Sequence, residues 1–216
     1  MKKSTYLFIL TLCVLSSSCT VMVKGIAKLL VKDYNDYTDT NISDIQIVDT
    51  HGSTHSFGSL YQGKTVYLYV WGNTKPSVQQ EKSYRLLKER FAKYRDVNFA
   101  SLSVGSDTSS INKLGKDPSS DKFRKILNIT NPAPFIIGKD GAILAYKGPK
   151  PDDKIIVDYV LYQAMAGENG TKSAKRFIRG VNGNNQFKSH ELTEWYTSHF
   201  GKAPDDKLNM SLSSTN

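Results

Sequence analysis

The 216-residue chain carries 29 Lys and Arg against 20 Asp and Glu, a formal charge of +9, with 39% hydrophobic residues. That length suits one compact domain with extensions, and a mean hydropathy of -0.41 excludes a polytopic membrane protein. A basic balance favours acidic partners or anionic lipid, but no Lys/Arg block is interleaved with aromatics, so no nucleic-acid partner is expected.

The chain opens Met1-Lys2-Lys3 and runs apolar to Leu15, the basic start and short apolar stretch of an export signal. The stretch is shorter than the roughly 20 residues a spanning helix needs. Ser16-Ser17-Ser18-Cys19 follows and resembles the processing site of bacterial lipoproteins, although Leu15 sits one place farther from the cysteine than that pattern prefers. The resemblance implies a signal peptide over residues 1–18 and acylation, of the palmitate kind, at Cys19. Several acyl chains would hold the protein at the membrane, since one chain binds only reversibly. Thr20, rather than Asp, implies the bacterial outer membrane, and the lack of an acidic run after Cys19 implies the periplasmic face. Simple secretion, a retained anchor, and an unmodified Cys19 remain the alternatives. Cys13 and Cys19 are the only cysteines. The mature fold is therefore expected to form no internal disulfide, even in an oxidising compartment.

Residues 19–41 read as a membrane-proximal linker. Lys24, Lys28 and Lys32 recur every four residues within an apolar stretch, as on one face of an amphipathic helix. The domain proper is expected over residues 42–166. Ile45-Gln46-Ile47-Val48 and residues 54–57 read as a hairpin around Asp49-Thr50-His51-Gly52, and residues 64–71 as a central strand. Residues 76–94 read as a helix with Leu87, Phe91 and Tyr94 as its buried stripe. Thr74 or Asn73 is the candidate cap, with Pro76 in the first turn. Residues 97–104 form the next strand, parallel to the first across the helical crossover. Residues 105–120 read as a polar loop with a helical turn at 110–114, and residues 121–127 as a short helix. Residues 134–137 and 142–146 form a hairpin around Gly138-Lys139-Asp140-Gly141. Residues 155–165 form a helix, with Asp152 and Asp153 at its start.

The region 167–216 reads as an extension with one helix, residues 189–200. Ser189 caps it, Gly201 stops it, and Leu192, Trp195, Tyr196 and Phe200 are free to pack. Residues 202–216 read as disordered. The expected class is α/β, a central mixed sheet flanked by helices, with an N-terminal β-hairpin and a C-terminal helical and disordered extension.

Leu60-Tyr61-Gln62-Gly63-Lys64, Trp71-Gly72-Asn73-Thr74-Lys75-Pro76-Ser77-Val78 and Asn131-Pro132-Ala133-Pro134 before Lys139-Asp140-Gly141 together resemble the thioredoxin superfamily, closest to its exported TlpA/ResA-like branch. The resemblance covers about residues 45–165. It implies a thioredoxin-like sheet, a cis-proline at Pro132, and a groove between that loop and the turn after the central strand. The family's two cysteines fall on Lys75 and Val78. Exchange needs a thiolate at a helix N-terminus and a second thiol one turn along, so the resemblance implies a redox-inactive member.

The groove expected to bind a protein or peptide comprises Trp71, Asn73, Thr74, Lys75, Pro76, Asn131 and Pro132. Each also has a plain structural reading, as sheet cover, solvated surface or loop geometry. No catalytic residue, cofactor or metal is expected. His51 and His55 read as exposed turn histidines, and no nucleophile elbow or dinucleotide fingerprint occurs. The expected function is an envelope lipoprotein acting as a binding or scaffold subunit. The alternatives are a cysteine-independent enzyme or chaperone, a relative named thiol–disulfide oxidoreductase by homology, a small-ligand carrier, or a structural subunit that docks through residues 167–200.

Overall fold

The computed structural model describes residues 27–28, 31–105, 112–127 and 131–213. The signal run, Cys13 and Cys19 lie outside the described residues, as does most of the lysine-spaced stretch before Val31.

Seven strands form one mixed sheet in the order β2-β1-β5-β4-β3-β6-β7. They are β1 (Gln46–Val48), β2 (Thr54–Ser56), β3 (Thr65–Trp71), β4 (Val97–Ser103), β5 (Lys113–Leu114), β6 (Ala133–Ile137) and β7 (Ile143–Ala145). β3 is central and buried along its whole length, which explains its continuous β-branched and aromatic run. β4 pairs parallel to β3, with Thr65 opposite Val97 and Trp71 opposite Ser103. β6 pairs antiparallel on the other side, with Val66 opposite Ile137 and Val70 opposite Ala133.

Helices cover both faces. Phe57 of α1 (Phe57–Tyr61), with Phe123 and Leu127 of α3 (Pro118–Leu127), packs with Val66, Leu68 and Val70. On the opposite face, Tyr67 packs with α2 (Val78–Arg90) and with α4 (Ile156–Ala164), α5 (Gly170–Arg179) and α6 (His190–Phe200). This is a thioredoxin-like α/β arrangement with added elements, as the sequence implies.

The additions depart from the sequence reading. The segment read as a linker is part of the fold: Tyr34 is fully buried in a 3₁₀ turn, Lys32–Asn35. Its carbonyl accepts from Tyr146 N–H at 3.1 Å, and the Thr40 carbonyl accepts from Ile143 N–H at 3.0 Å. Gly148 makes room for Tyr34, since a Cβ there would lie 2.1 Å from the ring. α1 forms where a connection was expected, because the Ser56 hydroxyl caps it by accepting from Ser59 N–H. Of the helical turn expected at 110–114, residues 110 and 111 lie outside the described residues, while Lys113–Leu114 form β5, which pairs with β1.

The extension forms two helices rather than one. α5 was obscured by its basic composition and Gly/Asn-rich flanks, yet Ala174, Phe177 and Ile178 are buried. α6 matches its expected cap and stop, with Ser189 accepting from Leu192 N–H and Gly201 left-handed. Trp195 and Tyr196 are buried, so they form no exposed docking patch.

The segment read as disordered also packs. Leu208 is buried, and its N–H donates to the Asn185 carbonyl at 2.8 Å. The Ser211 hydroxyl donates to the Asp152 carbonyl at 2.6 Å, and Ser213 N–H donates to Asp153 Oδ1 at 2.6 Å.

Asp158 ties these layers together. It is almost fully buried on α4 and accepts from Arg90 Nε at 2.6 Å and Nη2 at 3.0 Å. The His199 ring lies 2.9 Å from it through Nε2 and 3.0 Å from the Tyr94 hydroxyl through Nδ1. The ring is stacked on Trp195 and Tyr94. Lys93 donates to the Ser198 and His199 carbonyls at the end of α6. Asp158→Ala is expected to destabilise the protein by about 3–5 kcal/mol, because it leaves the Arg90 and His199 side chains without their shared carboxylate; urea unfolding measures this.

Asp153 does not cap α4. The helix starts after Ile155, which has no side-chain cap. Instead, Asp153 receives Lys150 N–H and Ser213 N–H. Burial pushes its pKa up to about 6, against the opposing effect of those two donors. A carboxyl raised above its unfolded value of 3.8 favours the fold at low pH and loses that contribution as pH rises. Between about pH 4 and pH 6 this amounts to on the order of 3 kcal/mol. Asp153→Asn is therefore expected to remove a decline in stability over that window, read as the difference between the two proteins' unfolding free energies against pH.

Candidate binding groove

The groove residues gather at the carboxyl end of β3. Trp71 closes the strand and is buried at 6% exposure, with its carbonyl accepting from Val104 N–H at 2.9 Å. It meets Tyr69 edge-on, and Tyr69 stacks on Tyr84 of α2. Burial keeps both phenols protonated, that of Tyr84 raised to about 12. Trp71 therefore belongs to the sheet cover, its plain structural reading, and has little surface to offer a ligand.

The chain then turns through Gly72, Asn73, Thr74 and Lys75, the last three exposed. Gly105, after β4, abuts this turn: a Cβ there would lie 2.7 Å from Asn73 Oδ1 and 2.8 Å from the Gly72 carbonyl oxygen. The close approach fixes where the turn leaves the sheet.

The cap of α2 differs from the expectation. Ser77 caps the helix, rather than Thr74 or Asn73. Its hydroxyl accepts from Gln80 N–H at 3.3 Å while Gln80 Oε1 accepts from Ser77 N–H at 2.8 Å, a closed capping box. Pro76 thus lies just before the helix and Lys75 two residues before its cap. Lys75 accordingly stands outside the first turn, where helix-dipole effects are concentrated. Val78 is the first helical residue and is 84% exposed. The Ser-x-x-Gln spacing was present in the sequence and is the signal that identifies this start.

Across the sheet, the β3–β6 register ends at Val70 opposite Ala133. Continued by one residue, it sets Pro132 beside Trp71. Pro132 is buried and Asn131 exposed. The cis peptide bond among the described residues is Gly148–Pro149, so the expectation of cis geometry at Pro132 is corrected. A trans bond is the ordinary state of an X–Pro peptide, favoured by about 0.5–1 kcal/mol. Ser103, opposite Trp71 in β4, is buried, and its hydroxyl has no hydrogen-bond partner among the described residues.

The groove mouth thus combines exposed amide, hydroxyl and ammonium groups with one exposed valine. None of the residues that form it is a cysteine. No group of three or more His, Cys, Asp or Glu side chains among the described residues is placed to hold a metal. His55 lies 3.4 Å from Asp49, but on the partly exposed β1–β2 hairpin, away from the groove. His199 is sealed between aromatic rings. The arrangement can support noncovalent contacts to an extended chain, through exposed backbone and the Lys75 charge.

No family model matches the chain, and no curated protein matches it. Solved structures do. A thiol-disulfide oxidoreductase from Bacteroides fragilis aligns at 16% identity over 59% of this chain and 96% of its own, with a TM-score of 0.40. BsSco, a member of the Sco family of cytochrome c oxidase assembly proteins, aligns at 16% identity over 68% of this chain and 98% of its own, with a TM-score of 0.43. The exposed lipoprotein thioredoxin Etrx1 from Streptococcus pneumoniae aligns at 19% identity over 50% of this chain and 91% of its own, with a TM-score of 0.35.

Ser77→Ala removes one half of the capping box and is expected to lower stability by about 1 kcal/mol. Thermal unfolding with circular dichroism measures the loss, and amide exchange is expected to localise it to the first turn of α2.

Proposed function

We propose that the chain is a redox-inactive, lipid-anchored envelope protein that binds a protein or peptide partner noncovalently at the mouth of this groove. The observation that carries the proposal is the pair Lys75 and Val78. The turn, the capped helix and the adjoining proline loop are all present, while both positions at which the TlpA/ResA-like pattern has sulfur carry other side chains. A thiolate is the nucleophile of disulfide exchange, and neither an ammonium nor an isopropyl group can replace it. Val78 is exposed where a partner's apolar side chain can cover it, and Lys75 suits an acidic residue beside it.

The anchor is Cys19, acylated after removal of residues 1–18, at the periplasmic face of the bacterial outer membrane. Support comes from the basic start, the short apolar run and Ser16-Ser17-Ser18-Cys19. No helix among the described residues is long and apolar enough to cross a membrane.

Two measurements test the reading. Purified protein is expected not to reduce insulin disulfides, and capture of the native protein from detergent-solubilised envelopes to recover a partner. That recovery is expected to fall at least fivefold in a Lys75→Glu/Val78→Ser variant that still folds. Growth with labelled palmitate is expected to label the wild type and leave Cys19→Ala unlabelled. Disulfide reduction by the purified protein, or partner recovery unaffected by the double substitution, would overturn the proposal.

A further inference from the structure

The strongest charged feature outside the groove is on α5. Ten residues carry Lys172, Lys175, Arg176 and Arg179. Arg176 is committed to Glu168 at 2.6 Å, and Lys172 reaches the same carboxylate at 3.1 Å. Among the described residues, Lys175 and Arg179 enter no ion pair, and neither does Lys32 of the N-terminal 3₁₀ turn. Lys32, Lys172, Lys175 and Arg179 share one open cleft, whose lining includes a single acid, Asp36. The two segments are joined there: the Thr171 hydroxyl donates to the Val31 carbonyl at 2.9 Å and reaches the Lys32 carbonyl at 3.3 Å. Lys28, one helical turn before Lys32, is exposed as well.

The position of this cluster along the chain gives it meaning. The N-terminal segment enters the fold across α5, and Cys19 precedes Val31 by a tether that spans at most about 40 Å when fully extended. A lipid on Cys19 would therefore keep the α5 face within that distance of the bilayer. Charges act through physiological salt over only about 8 Å, so proximity decides which basic groups feel the membrane. The groove mouth, at the carboxyl end of β3, is built from other elements.

We infer that the face formed by Lys28, Lys32, Lys172, Lys175 and Arg179 docks on an anionic phospholipid surface. The recognising chemistry is a spread of ammonium and guanidinium groups toward negatively charged headgroups, each contributing on the scale known for basic residues at such surfaces. Among the described residues, Lys28, Lys32, Lys172, Lys175 and Arg179 supply charge and none of the exposed large hydrophobics lies among them, so the contact proposed is electrostatic. It would fix the orientation of the domain on its tether. The inference relies on the anchoring proposal for its biological setting, but the docking itself is tested without the lipid.

The test uses full-length protein carrying Cys19→Ala, which cannot be acylated. Its partition onto sedimenting vesicles of phosphatidylcholine alone is compared with partition onto vesicles containing 30% phosphatidylglycerol, where roughly a tenfold preference for the anionic vesicles at low salt is expected. The preference should vanish on raising salt to about 0.5 M. Lys175→Glu/Arg179→Glu is expected to lower binding to the anionic vesicles about tenfold or more. Lys122→Glu/Lys125→Glu, the same charge change on α3 across the sheet, should lower it less than twofold. Circular dichroism confirms that each variant folds. Equal binding to both vesicle types, or equal loss from the α5 and α3 variants, overturns the inference. Neither result bears on acylation of Cys19, which the palmitate label reads separately.

Discussion

The architecture depends on a carboxylate buried in a helix that is covered on nearly every side. α4 reads Ile156-Val157-Asp158-Tyr159-Val160-Leu161, and all six residues are buried. A helix apolar on all sides must be covered on all sides. The sheet covers one flank, and α5 and α6 supply the rest of the cover. Asp158, in the middle of that run, can be buried only because Arg90 and His199 reach it from two other helices. The C-terminal helices are therefore components of the core, and the ion pair links them to α2, the helix whose N-terminus forms the groove.

At the other end of α2, local constraints set the shape of the groove. The capping box sets the start of α2, Gly105 sets the exit of the turn, and the β3–β6 register sets Pro132 beside Trp71. Each constraint is backbone geometry or packing, and none involves sulfur. A frame of this kind holds the turn in place whatever side chains stand at Lys75 and Val78. The edge carries polar groups and one exposed valine, properties suited to recognition.

Much of this was legible in the residues. The continuous apolar run of β3, the Gly-Lys-Asp-Gly turn between β6 and β7, and the Ser189 cap with its Gly201 stop each encode a local structure directly. The missed elements obey longer-range rules. α5 has a narrow buried stripe and a lysine-rich remainder, so its stability comes from packing on α4 rather than from local signals. Tyr34 is buried in a polar segment because Gly148, more than a hundred residues away, makes room for it. The all-round apolarity of α4 was itself a sign that more chain must cover it. At the site, Lys75 and Val78 were plain in the residues, but the helix start was misplaced because the Ser77–Gln80 pair was passed over in favour of Thr74 and Asn73. For Trp71, spacing left sheet cover and ligand contact both open, and burial selects the first.

The central claim is that the turn from Asn73 to Val78 is a noncovalent contact surface. A photo-crosslinking amino acid placed at position 78, in cells making the otherwise native protein, tests it most directly. The account predicts a discrete adduct with another envelope protein from position 78 and none from position 122 on α3. The absence of an adduct at 78, or the same adduct from both positions, would contradict it.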